Sequence, residues 1–156
     1  MDRLENVPGR PCSVAAALDV VGDKWALLIV RELLFGNHRF TEIVRNTAAP
    51  RDRLAARLRD LVDAGVIEKR RYQESPERFE YHLTASGRAL APVLQSLLAW
   101  GDRFAVDEPP MTLQHHDHEL RLRSVCAVCG ERVHREDVHR VSRRAGWDEA
   151  GPVPVG

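Results

Sequence analysis

Ala49-Pro-Arg-Asp-Arg-Leu-Ala-Ala-Arg-Leu-Arg-Asp-Leu-Val-Asp-Ala-Gly65 is the stretch on which the reading of this chain turns. Leu54, Leu58 and Leu61 recur at i, i+4 and i+7, which puts them on one side of an α-helix. On a helical wheel Asp52, Arg53, Ala56 and Arg59 fall on the opposite side, with Arg57 flanking. The helix therefore has an apolar back and a basic front, kept slim by Ala55 and Ala56. Pro50 suits its start, where a missing N–H costs nothing. Gly65 suits its stop, because glycine takes positive φ cheaply. A helix that packs its leucines and merely solvates its arginines would show the same pattern, so the flanks must decide.

Upstream, Ser13 caps a short helix over 14–21, and Gly22-Asp23 breaks it, with Asp23 placed to cap the next helix. That helix, 24–35, is apolar on most sides and reads as the central buried one. Arg39-Phe-Thr-Glu-Ile-Val-Arg45 makes a shorter helix with Phe40, Ile43 and Val44 on one face, and residues 46–50 form the turn into the basic helix. Downstream, 66–72 and 79–83 form a hairpin with a Pro-containing tip. Phe79, Tyr81 and Leu83 lie on one face of its second strand, Glu80 and His82 on the other. Lys69, Arg70, Arg71 and Arg78 make it a basic ribbon, suited either to tracking phosphates or to plain solvation. Short helix, turn, basic helix and ribbon, in that order, present a recognition helix to the DNA major groove.

Thr84 caps a last long helix running to about residue 104. Leu90, Val93, Leu94, Leu97 and Phe104 form its stripe, widened by Leu98 and Trp100 beyond what one small domain needs. The same helix from a second subunit would cover it. Packing on the protomer's own first helix is the alternative, and both can hold on different faces. Pro92 should kink this helix or mark its effective start.

The net charge is zero, so the chain as a whole does not advertise nucleic acid, but its distribution is uneven. Residues 39–71 hold nine Lys/Arg against five Asp/Glu, whereas residues 102–119 hold five acids and one arginine. That split suits a DNA-binding face set against an acidic linker. No apolar run reaches the roughly 18 residues of a membrane helix, and Met-Asp-Arg-Leu-Glu is no signal peptide, so the expected location is cytoplasmic and no membrane partner is expected. Gly-rich phosphate loops and Ser/His/Asp groupings do not stand out, so no enzyme and no organic cofactor are expected.

These residues resemble the HxlR-type family of winged helix-turn-helix transcriptional regulators, which are MarR-like. Cys12, Gly22-Asp-Lys-Trp25, Gly36-Asn-His-Arg-Phe-Thr-Glu-Ile43, Leu54, Leu58-Arg-Asp-Leu61, Gly65-Val-Ile67 and Arg71-Tyr72 carry the resemblance. Pro76, Phe79-Glu-Tyr-His-Leu-Thr84-Ala-Ser-Gly87 and Trp100-Gly101 complete it. It implies a homodimer on an inverted-repeat operator in double-stranded DNA, usually as a repressor. The fold expected is mainly α with a small β-hairpin: a winged helix-turn-helix domain over 1–106 with a long dimerisation helix. Ser13 stands where relatives have proline, and Pro50 where they have serine. Ala55 and Ala56 stand for Thr and Gln, so direct readout is leaner and rests more on arginines.

On this reading Arg51 and Arg53 face base edges or adjacent phosphates, and Arg57, Arg59, Arg71 and Arg78 face phosphates. Arg59 has the alternative of pairing with Asp60 or Asp63. Cys12 is either a sensor, since in some relatives this cysteine reacts with quinones, aldehydes or oxidants, or a small buried packing residue. Arg10 and Lys24 are close enough in sequence to favour its thiolate. A small electrophile is the effector expected on the sensor reading.

Residues 107–111 read as a stiff acidic linker, 112–145 as a zinc-ribbon-like tail and 146–156 as a loose end. A strand is expected over 120–125. Cys126-Ala-Val-Cys-Gly130 has the form of a zinc knuckle, and His116 and His118 would complete a Cys2His2 set for one structural zinc per chain, with His115, His134 and His139 as competing donors. A metal-free ribbon and a redox-active Cys126–Cys129 pair are the other readings of this tail. Two further functions stay open: a winged-helix scaffold that binds protein instead of DNA, and a regulator that senses metal through the tail.

Overall fold

The computed structural model describes residues 4, 9–143, 146–148 and 150–153, which form two compact units. One unit is Ser13–Ala99, and the other joins Met1–Cys12 to Trp100–Gly156. The class is mixed α+β. No helix among the described residues is long and apolar enough to cross a membrane.

The Ser13–Ala99 unit begins with α1 (Ser13–Val21), α2 (Lys24–Leu34), α3 (Phe40–Thr47) and α4 (Arg51–Asp63). The Asp23 carboxylate caps α2 by accepting from the Trp25 N–H at 2.9 Å. Helix α2 is the centre of the core: Ala26, Ile29, Val30 and Leu33 are buried against Ile43 of α3 and Leu54, Leu58 and Leu61 of α4. Its last residue, Leu34, and the following Phe35 turn outward and are exposed. A Schellman motif ends α4: Gly65 N–H donates to Val62 O and Val66 N–H to Leu61 O, both at 2.9 Å, with Gly65 at φ +72°. The chain thereby reverses straight into a hairpin.

That hairpin is β1 (Ile67–Glu74) and β2 (Glu77–Leu83), antiparallel in the register Ile67↔Leu83 through Arg71↔Phe79. Tyr72 is the extra residue of a bulge before Gln73↔Arg78. From Phe79 to Leu83 both faces of β2 are partly covered, including Glu80 and His82, which the alternation placed on the face opposite Phe79, Tyr81 and Leu83. The cause is nonlocal. Tyr81 N–H donates to His38 O at 2.9 Å, and His38 Nδ1 lies 2.9 Å from Tyr81 O. The α2–α3 connection thus pairs with the outer edge of β2, and the His38 and His82 rings stack with centroids 4.3 Å apart.

The final helix is not continuous from Thr84. Thr84 caps only the single turn α5 (Ala85–Arg88), and α6 (Ala91–Phe104) starts afresh. Pro92 is the reason, since it has no N–H to donate and its ring would meet the carbonyl four residues back.

In the second unit β3 (Gln114–His115) and β4 (His118–Glu119) form a minimal hairpin. The expected strand over 120–125 reduces to one bridge, Val125↔Arg132, which closes the Cys126–Gly130 turn. Trp147↔Pro152 is another isolated bridge, and Asp148 accepts from the N–H groups of Ala150 and Gly151. These two bonds hold the Asp148 carboxyl below its ordinary range, Gly151 contributing most. The loose end expected over 146–156 lies partly outside the described residues.

Candidate nucleic-acid interface

Helix α4 is fixed from behind by Leu54, Leu58 and Leu61, none more than 1% exposed. Its opposite side must then face outward. Arg51, Asp52, Arg53, Arg59 and Asp60 are exposed there, and Ala55 and Ala56 are half-buried between the two faces. The alanines supply no side-chain hydrogen-bonding group, so the chemistry of this front belongs to the arginines and to Asp52 and Asp60. The turn 48–50 sets where α4 begins. Ala48 ends α3 in the left-handed region at φ 53°, Ala49 is buried, and Pro50 precedes the first helical residue.

The six arginines read from the sequence divide by what they touch. Arg53, Arg59 and Arg78 are exposed, and none of them makes an ion pair among the described residues. Arg51 lies over the Phe40 ring at 5.2 Å, which orders its guanidinium beside the helix start. Arg57 is occupied: it lies 3.1 Å from Asp60 and 3.7 Å from Asp23. Arg59 was the residue with an alternative pairing to Asp60 or Asp63, yet it is Arg57, one turn before Asp60, that takes it. Arg71 is drawn across the hairpin to Glu77 at 3.3 Å and along its own strand to Glu74 at 3.8 Å. Arg70 pairs with Glu68.

The ribbon is therefore less positive than its sequence suggests. Arg78 and Lys69 remain, the latter with its ammonium 3.8 Å from the Phe79 ring centroid. Arg39, absent from the sequence-based set, belongs beside them: it stands over Tyr72 at 5.0 Å and pairs with Glu80 at 3.4 Å. Tyr81 connects ribbon and helix electrostatically. Partial burial raises its phenol pKa above the ordinary 10.0, while the positive charge of Arg59 pulls it down. Exposed arginines without an ion pair among the described residues thus lie on α4, at Arg53 and Arg59, and on the ribbon, at Arg78.

The stripe on α6 resolves into two. Leu90, just before the helix, and Leu94 pack on the core of their own unit, and Leu98 is half-buried. Val93, Leu97, Trp100 and Phe104 are 46–62% exposed, at a spacing of four, three and four that keeps them on one face. Trp100 and Phe104 lean together with ring centroids 5.7 Å apart. Val14 and Leu18 of α1 are also exposed.

Cys12 is a half-buried thiol. The cations near it in sequence have other contacts: Lys24 lies over the Trp25 ring at 4.4 Å, and Arg10 donates to the Asp148 carbonyl and lies over Trp147.

The zinc set is not assembled. Among the described residues no group of three or more His, Cys, Asp or Glu is placed to hold a metal ion, so His116, His118, Cys126 and Cys129 do not converge. Each pair is held by its own local hairpin, His115↔His118 in one and Val125↔Arg132 in the other. The histidines pack on one another, His115 against His116 at 4.2 Å. Backbone N–H groups of Cys129 and Val128, and then the Cys129 side chain, hydrogen-bond the Cys126 sulfur and lower its pKa.

A model of the HxlR-like helix-turn-helix family matches residues 20–109. An uncharacterized HTH-type transcriptional regulator of Mycobacterium tuberculosis is 41% identical over 130 residues, covering 81% of this chain and 82% of its own length. The crystal structure of PA1607, described as a proposed transcription factor, has a TM-score of 0.76 at 39% identity over 85% of this chain and 95% of that one. The redox regulator HypR in its oxidized form has a TM-score of 0.56 at 31% identity over 61% of this chain and 99% of that one.

Proposed function

Because the chain belongs to the HxlR-like helix-turn-helix family, whose members here are transcription regulators and not enzymes, we propose that it is a homodimeric, sequence-specific repressor with α4 as its recognition helix. One observation carries this reading: α4 has a fully buried leucine back and a front on which Arg53 and Arg59 have no counter-charge among the described residues. Solvated arginines would look the same, and it is membership of a family of transcription regulators that favours contact with DNA. Arg53, near the helix start, bonds guanine O6 and N7 or the adjacent phosphate. Arg59, Arg78 and Lys69 hold phosphates and supply affinity and salt dependence.

The exposed stripe of Val93, Leu97, Trp100 and Phe104 supports the dimer, since large apolar side chains at these exposures call for a cover. Two-fold symmetry then sets the two α4 helices about 34 Å apart on an inverted repeat. Cys12 is the proposed point of control, supported by its partial exposure and by the redox regulator among the structural neighbours.

The test is binding of the reduced protein to the DNA just upstream of its own gene, with excess competitor, across a salt series. Tight, competitor-resistant binding that weakens steeply with salt is expected. Arg53→Ala should lose about 1–3 kcal/mol of specific affinity. No wild-type binding at low salt would replace this reading with that of a protein-binding scaffold.

A further inference from the structure

Glu32 is the only charged residue in the buried core among the described residues, 3% exposed in the last turn of α2. Its carboxylate is fully engaged. Oε1 accepts from Arg31 Nε and Nη2 at 3.0 and 2.8 Å, and Oε2 accepts from Asn37 Nδ2 at 2.8 Å and Asn46 Nδ2 at 2.9 Å. The Asn37 N–H also donates to the Glu32 carbonyl at 3.0 Å. Asn46 lies in the last turn of α3, just before the turn into α4, and accepts from Arg45 Nε at 3.2 Å.

The last turn of α2, the loop that follows it and the end of α3 are thus bonded to one carboxylate. A hydrophobic side chain in this place would fill the volume without fixing an orientation. Two amides and a guanidinium directed at two oxygens define one. The end of α3 is also where the approach angle of α4 is decided, because only residues 48–50 separate the two helices.

We infer that Glu32 is a positioning residue for DNA recognition, clamping the end of α3 through Asn46 so that the arginines of α4 and the ribbon meet the duplex together. This rests on α4 being the recognition helix. A clamp of this kind acts on how many contacts form at once, and that number is read by the salt slope of binding.

The experiment measures binding of the upstream duplex, with competitor, at several salt concentrations for wild type, Glu32→Leu, Asn46→Ala and Glu32→Gln. Folded fraction is checked for each by circular dichroism. Glu32→Leu removes both acceptors, and an affinity loss of about ten- to a hundred-fold is expected, with a slope shallower by about one or more phosphate contacts. Asn46→Ala is exposed enough to fold even if Glu32→Leu does not, and should show the same change in smaller measure. Glu32→Gln should restore most of the affinity. Its Nε2 can donate to both asparagines once their amides rotate to present Oδ1, while Oε1 keeps Arg31. Wild-type slope in folded Asn46→Ala and Glu32→Leu would overturn the inference, and so would an affinity loss that only tracks the unfolded fraction. Failure of the wild type to bind would instead remove the recognition-helix reading.

Discussion

The Arg57 guanidinium lies 3.1 Å from the Asp60 carboxylate, one turn further along α4. A pair this exposed contributes little to stability, and holding the cation in place is its larger effect. Asp60→Asn with Asp23→Asn should free Arg57 from both of its carboxylates and remove a repelling charge from α4. The expected outcome is tighter binding and a salt slope steeper by about one. An unchanged slope would show that Arg57 does not reach the DNA.

Leu97 and Trp100 test the dimer. Both are exposed, at 48% and 60%, so charges placed there cost the protomer little. Leu97→Glu with Trp100→Glu should run as a monomer in light scattering while keeping its helical signal. DNA affinity should fall with the loss of the second half-site. A persistent dimer would move the interface elsewhere.

Cys12→Ser should bind the upstream duplex as the wild type does under reducing conditions and keep binding when a quinone is added. Equal loss of binding in both proteins would make Cys12 a packing residue.

How much could be read from the sequence depended on the range of each signal. The leucine spacing in α4, the Asp23 cap and the Gly65 stop act within a turn or two, and the structure shows each of them. Alternation put Glu80 and His82 on one face of β2 but says nothing of His38, 43 residues from Tyr81, whose ring stacks on His82. Glu32 interrupts an apolar run, and such an acid reads as the polar edge of a helix. Its burial depends on two asparagines that no periodicity connects to it. The partner of Arg57, Asp60, lies one helical turn away and is legible from spacing, whereas Glu77 opposite Arg71 is set by strand register. In the tail, Cys-x2-Cys spacing predicts a turn, and the turn is there. Whether distant histidines reach it is a matter of chain path, which spacing does not encode.

Gly87 is required by a close approach. A Cβ placed there would stand 2.2 Å from Val66 O and 2.9 Å from Leu83 Cδ2. Thr84 Oγ1 also donates to Gly65 O, at 2.7 Å, so the turn has little room to yield. Gly87→Ala should cost about 1–3 kcal/mol and lower the unfolding midpoint. A midpoint equal to wild type would show that α5 can shift away from the hairpin.

Tyr81 gives a pH dependence of known sign. Burial raises its folded-state pKa above 10.0, so the folded protein holds the phenolic proton more tightly than the unfolded chain. This contribution is fully present below about pH 10 and is lost as pH rises through the folded pKa. Urea midpoints should fall less for Tyr81→Phe than for wild type between about pH 9 and about pH 11. Parallel declines would remove Tyr81 as a source of the alkaline slope.

The two bonds between His38 and Tyr81 have a mechanical consequence. They tie the hairpin to the connection between α2 and α3, so on the proposed function ribbon and helices would meet a groove as one unit. Operators would be ranked partly by how cheaply their base steps twist and compress, at positions no side chain reaches.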